Sequence, residues 1–125
     1  MSRYNRGQTL VTLLIFMVIA ITVTSAAVVL TITDSQNANR FQEGLIAFQV
    51  AESGAENAMI RFLRDPNYAG ETLAVGSGTA TITVTGTNPK IITSAGVNGN
   101  YLRKIQVTLD NTNNILSITS WQEIF

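Results

Sequence analysis

The chain runs apolar from Val11 to Leu30 without a charge or a proline, and no ionisable side chain occurs between Gly7 and Thr33. A helix crossing the hydrocarbon core of a bilayer needs about 20 residues of this kind, so the stretch is long enough to span one. Arg3 and Arg6 precede it, and the next charge beyond it is Asp34. The positive-inside rule then keeps the N-terminus cytoplasmic and sends the residues after about 32 outward. Such a chain is expected to be held in a membrane and to carry an external body.

Three readings of this segment remain open on its own residues. It can be a plain single-span anchor. It can be a secretory signal, whose apolar core is ordinarily about 7–15 residues before a small-residue cleavage site. Ser25-Ala26-Ala27 would serve as that site, but the run stays apolar through Leu30 and Ile32. The third reading takes Arg6-Gly7-Gln8-Thr9-Leu10-Val11 as the junction between a short basic leader, residues 1–7, and the span.

The 125 residues make one domain plus an anchor. Roughly 90 remain for the body, a size at which a core is marginal without reinforcement. Cysteine is absent, so no disulfide reinforces it. The absence of both His and Cys removes the usual metal ligands and the thiol nucleophile. Formal net charge is zero, from eight basic and eight acidic residues without a basic run, which argues against a nucleic-acid partner.

From Asp34 the all-round apolar pattern gives way to an amphipathic one. Phe41, Leu45, Phe48, Ala51, Ala55, Met59 and Phe62 recur at three- and four-residue steps, predicting one buried helix face. Gln42, Glu43, Gln49, Ser53, Asn57, Arg61 and Arg64 occupy the other faces. One helix is expected from about Thr9 to Leu63, ended at Asp65-Pro66 because the residue before proline avoids the helical region. At 1.5 Å per residue it would be roughly 80 Å long, more than a small body requires.

Beyond Pro66 the period falls to two. Thr79–Thr85 alternates Thr with Ala80, Ile82 and Val84, Lys90–Ala95 reads as a second strand, and Asn98-Gly99 is a strong hairpin signal. The strand it opens, Tyr101–Leu109, sets Tyr101, Arg103, Ile105, Val107 and Leu109 on one face, and Ile115–Trp121 closes the series. Short loops throughout predict an antiparallel meander of four strands. The fold class expected is α+β, a long N-terminal helix packed by its second half on a small antiparallel sheet.

The junction Arg6-Gly7-Gln8-Thr9-Leu10-Val11 with its apolar run resembles the class III leader of type IV pilins and pseudopilins, and the expected helix-on-sheet body is similar to the type IV pilin fold. Ala51-Glu52-Ser53-Gly54-Ala55-Glu56-Asn57-Ala58 looks like the helix of PilX-type minor pilins and of the largest minor pseudopilin. Ser120-Trp121-Gln122-Glu123 looks like the tail of small pilin-like proteins. The resemblance implies that a prepilin peptidase cuts after Gly7 and that Gln8 becomes the N-methylated first residue. A side chain at Gly7 would obstruct a narrow peptidase cleft. It further implies a membrane and filament-core helix over 8–33, including Leu10, Val11, Thr12, Leu13, Leu14, Ile15 and Phe16. An amphipathic helix over 34–64 and a sheet head over 65–125 complete the layout. The implied partners are the membrane, other pilin subunits, the peptidase and the pilus assembly machinery, with no cofactor. The implied location is the bacterial inner membrane, then a surface filament (fimbrium) or a periplasmic one.

Two features depart from that family. Many type IV pilins close a C-terminal loop with a disulfide, which this chain lacks. Major pilins and most pseudopilins carry Glu at the fifth position after the cleavage site, where this chain has Thr12. That carboxylate is held to pair with the N-terminal ammonium of a neighbour, and a buried charge without a partner is expensive. Thr12 leaves the contact unmade, which suits a minor, tip or initiation subunit, or a type II secretion minor pseudopilin. A single-span anchored extracellular binding module is the alternative.

Other candidate residues carry less. Glu52 and Glu56 are helix neighbours four apart, expected in a helix-to-sheet or subunit-to-subunit contact with Arg103 as the candidate cation. Arg40 with Glu43 and Arg61 with Asp65 read as solvated charges. Asp110-Asn111-Thr112-Asn113-Asn114 is oxygen-rich, but it lacks the Gly and distal Glu of a calcium loop and reads as a bare turn. The Gly-rich stretch Gly70–Gly78 lacks the strand–loop–helix order of a phosphate site. Trp121 is read as core or edge packing, or as an exposed contact for a neighbouring subunit. No nucleophile–base constellation marks the chain as an enzyme.

Overall fold

A computed structural model describes residues 4–125. Helix α1 runs Tyr4–Arg64, 61 residues. It already covers Tyr4 to Gly7 of the expected leader, so the backbone itself does not mark a boundary at Gly7. The first part of that leader, including Arg3, lies outside the described residues. The chain divides into two compact units, Met1–Asn39 and Arg40–Phe125.

In the first unit, α1 is solvent-exposed from Asn5 onward, and its 18-residue apolar window is 0% buried. Its length and composition are compatible with a membrane span. The hydroxyls scattered through this run do not contradict that. Those of Thr9, Thr12, Thr22, Thr24, Ser25, Thr31 and Thr33 each donate to the carbonyl four residues back, at 2.7 to 3.0 Å. A hydroxyl satisfied by its own helix leaves no polar demand on surrounding hydrocarbon.

In the second unit, the part of α1 from Arg40 packs on an antiparallel meander in the order β1-β2-β3-β4-β5. The strands are β1 Gly70–Val75, β2 Gly78–Thr85, β3 Lys90–Asn98, β4 Tyr101–Thr112 and β5 Ile115–Ile124. The sheet therefore has five strands, where the sequence pattern predicted four. The added strand is β1, hidden between Gly70, Gly76 and Gly78, whose composition reads as loop. Its alternation is nonetheless regular, with Glu71, Leu73 and Val75 half-buried and Thr72 and Ala74 exposed. Gly76, at φ 57°, makes the tight turn into β2. The last strand also runs beyond Trp121 to Ile124.

Of the expected helix face, Ala51, Ala55 and Phe62 are buried and Phe48 and Met59 pack against the core, and only its N-terminal end departs. Phe41 is 75% exposed and Leu45 43%, whereas Ala47, Ala51, Ala55 and Ala58 are fully buried. Gly44 and Gly54 are buried with them. Small residues face the sheet because the two backbones nearly touch there. A Cβ on Gly96 of β3 would fall 2.3 Å from the Ala47 carbonyl oxygen and 2.4 Å from the Ala51 nitrogen. One on Gly54 would fall 2.4 Å from Ser94 Oγ and 2.7 Å from Ala80 Cβ. Beneath the helix lie Ile82, Ile92, Ile105, Val107 and Leu109, each at most 2% exposed. Larger side chains flank the line of contact: Phe48 and Met59 from the helix, Leu116 from β5. A closely seated helix thus fills the centre with backbone and methyl groups and moves bulk to the rims.

Candidate functional site

The junction residues sit on an unobstructed helix. Among the described residues nothing lies within 4 Å of a Cβ built on Gly7, and Gln8 is exposed. The Thr12 hydroxyl donates to the Gln8 carbonyl at 2.9 Å, the intrahelical bond that a threonine makes here and a carboxylate could not. Gln8, Thr9, Thr12, Leu13 and Phe16 line one shallow open concavity with Asn5. Leu10 is 71% exposed, Phe16 70%, and Val11, Leu13, Leu14 and Ile15 are more than half exposed. Soluble chains rarely leave a contiguous apolar surface of this extent uncovered. By length and composition the segment is compatible with a membrane-spanning helix.

Arg103 is paired elsewhere than expected. Its Nε donates to Glu123 Oε1, and its Nη2 donates to Glu123 Oε2 at 3.0 Å. The register explains the choice: Ile105 opposes Glu123 across β4 and β5, and Arg103 stands two residues along on the same face. The guanidinium also lies 5.5 Å from the centre of the Phe48 ring, joining β5, β4 and α1. The hydrogen bond from Arg103 holds the Glu123 carboxyl below its ordinary value, and the same bond holds Arg103 above its own. Glu52 is half-buried and Glu56 exposed, and neither forms an ion pair among the described residues.

A second polar cluster was not legible in the sequence. Glu71 of β1 accepts a 2.8 Å ion pair from Arg61, a 3.1 Å hydrogen bond from the Tyr68 hydroxyl and a long 3.5 Å one from Asn57. Arg61 remains about half exposed, as expected, but its partner is Glu71 and not Asp65. Asp65 instead accepts from the Asn67 amide at 2.9 Å, closing the turn after the helix. Burial, reinforced by the neighbouring Glu71 carboxylate, pushes the Tyr68 hydroxyl up to about 12. The cluster ties the end of α1 to the first strand, and only the position of β1 could have revealed it.

The oxygen-rich turn is a hairpin corner. Asn113 and Asn114 take φ of 57° and 62°, the left-handed pair that a two-residue connection between twisted strands requires. Asn88 clasps it from the β2–β3 loop, donating to the Asn111 carbonyl and accepting from the Asn111 amide, both at 3.1 Å. Among the described residues, no three acidic, His or Cys side chains gather as a metal site would require. No protein-family model matches the chain, and neither a curated protein nor a solved structure matches it.

Proposed function

We propose that this protein is a membrane-held structural subunit of a type IV pilus or a related filament, a minor subunit processed after Gly7. The observation that carries the reading is a pairing of two features on one helix. α1 offers a bare apolar stretch from Leu10 to Ile32 and then, from Arg40, packs a small-residue face on a five-stranded antiparallel sheet. The first feature needs an apolar host, and the second supplies a folded head. A subunit that passes from lipid into a bundle of like helices meets both conditions. Thr12 supports the minor role, since its hydroxyl is spent on its own helix and offers no charge to a neighbour's ammonium.

Expression with an active prepilin peptidase tests the proposal. The mature chain is expected to begin at Gln8 and to carry one added methyl group by mass spectrometry. Gly7→Val is expected to block the cut. A chain that keeps Met1 in that host would overturn the filament reading and leave an anchored binding module in its place.

A further inference from the structure

We infer that the flank of α1 facing β5 is a docking seam for one further helix, contributed by a different subunit and carrying a Lys or Arg opposite Glu52. The inference rests on the filament reading and names the kind of neighbour that reading requires. Phe41, Leu45, Phe48, Glu52, Ala55 and Met59 follow one another at alternating steps of four and three, the spacing by which helices pair side by side. The sheet claims only part of this line: Ala55 is fully buried, whereas Phe41 and Leu45 are 75% and 43% exposed. Phe48 stacks on Arg103, whose partner is Glu123 of β5, so the line faces the β5 side.

β5 is left uncovered on that same side. Trp121 opposes buried Val107 and Ile118 opposes buried Leu109, so both point to the helix-bearing face. They are nevertheless 37% and 54% exposed. The bulge at Thr108/Leu109 is what sets both on one face, because three residues of regular strand would have put them on opposite faces. At its closest approach α1 lies over β3, where Gly96 and Ser94 meet it. Two strand spacings of about 4.8 Å separate β3 from β5, and helices pack side by side about 8–10 Å apart. A second helix lying against α1 would therefore rest on Ile118 and Trp121.

Charge identifies the occupant. Glu52 sits half-buried in the seam with Glu56 one turn on, and no cation of this chain reaches either among the described residues. No Lys or Arg stands on this line of the helix, and Arg103 against Phe48 is held by Glu123, so a second copy offering the same seam, in register, would set Glu52 against Glu52. Like charges in such a position disfavour the pair, and opposite charges select it.

Because the chain has no cysteine and a single tryptophan, a clean test is available. The full chain is mixed in detergent micelles with a Glu52→Lys/Glu56→Lys chain that also carries Trp121→Phe. Association is read by energy transfer between dyes on cysteines placed at Gln49, and cover of β5 by Trp121 emission. The mixed pair is expected to associate about tenfold more tightly than either chain with itself, with Trp121 emission shifting to the blue. Leu45→Ser in the wild-type partner is expected to weaken the mixed pair without altering its circular dichroism. Equal association of mixed and like pairs, or an unmoved Trp121 emission, would overturn the seam. Leader processing plays no part in this measurement, so its outcome and that of the Gly7 test are independent.

Discussion

Replacing Gly54 with alanine tests the close seating of α1 on the sheet. In an exposed helix the change would stabilise by roughly 0.5–1 kcal/mol, because glycine loses more backbone freedom on folding than alanine. Here the added methyl would stand 2.4 Å from Ser94 Oγ and 2.7 Å from Ala80 Cβ. Ser94 can turn its hydroxyl aside, but the Ala80 methyl is fixed to the β2 backbone and can retreat only if the strand moves. Overpacking of this kind costs about 1–3 kcal/mol, so the middle of that range less the helix gain leaves a loss of roughly 1 kcal/mol. For a body of this size that is a fall of about 4–8 °C in Tm.

Gly44 is the internal control on the same helix face. A methyl there would lie 3.8 Å from Arg103 Nη1 and 3.9 Å from the Tyr101 ring, ordinary contact distances. Gly44→Ala should therefore raise Tm, by about half to one kcal/mol of stability. Thermal unfolding of the full chain in detergent, followed by Trp121 fluorescence and near-ultraviolet circular dichroism, reports the body and not the apolar helix. Opposite signs at the two glycines are the required result. A Gly54→Ala chain as stable as the parent would show that the helix does not seat as closely as described.

Three further outcomes follow from the polar groups. Ser94 Oγ is fully buried with no hydrogen-bond partner among the described residues, so Ser94→Ala should leave stability unchanged or raise it by about 1 kcal/mol, measured by urea unfolding. Glu123 has its carboxyl held low by Arg103, so its stabilising contribution is present above the ordinary carboxylate range and is lost as pH falls through the lowered folded value. Arg103→Ala should flatten that acid limb in urea titrations, and an unchanged limb would remove the pair from the account. Tyr68 is shifted the other way: the contribution of its neutral hydroxyl is intact below pH 10 and is lost as pH rises toward about 12. Urea unfolding between pH 8 and 11.5 should fall more steeply for the parent than for Tyr68→Phe, and parallel curves would refute the assignment.

Much of the architecture could be read from side-chain spacing. The uncharged run to Leu30, the three-and-four steps to Phe62 and the alternation of Thr79–Thr85 each follow from one repeating requirement on a regular backbone. The helix, the strands from β2 to β5 and the Asn98-Gly99 hairpin were therefore visible in order. β1 was not, because glycines at its borders serve a tight turn and close contacts while giving the segment the composition of a loop.

The residue pattern by itself determined that a long apolar helix precedes an amphipathic helix and an antiparallel sheet, since hydrophobic period depends only on local geometry. Tertiary structure alone decided where the centre of that face lies, for Phe41 and Leu45 of the stripe stay exposed while Gly44, Ala47, Gly54 and Ala58 join it and let the backbones approach. It also decided that Arg103 takes Glu123 and that Ile118 and Trp121 share a face, because both depend on cross-strand register and one bulge. Those relations join residues distant in the chain, and no local spacing encodes them.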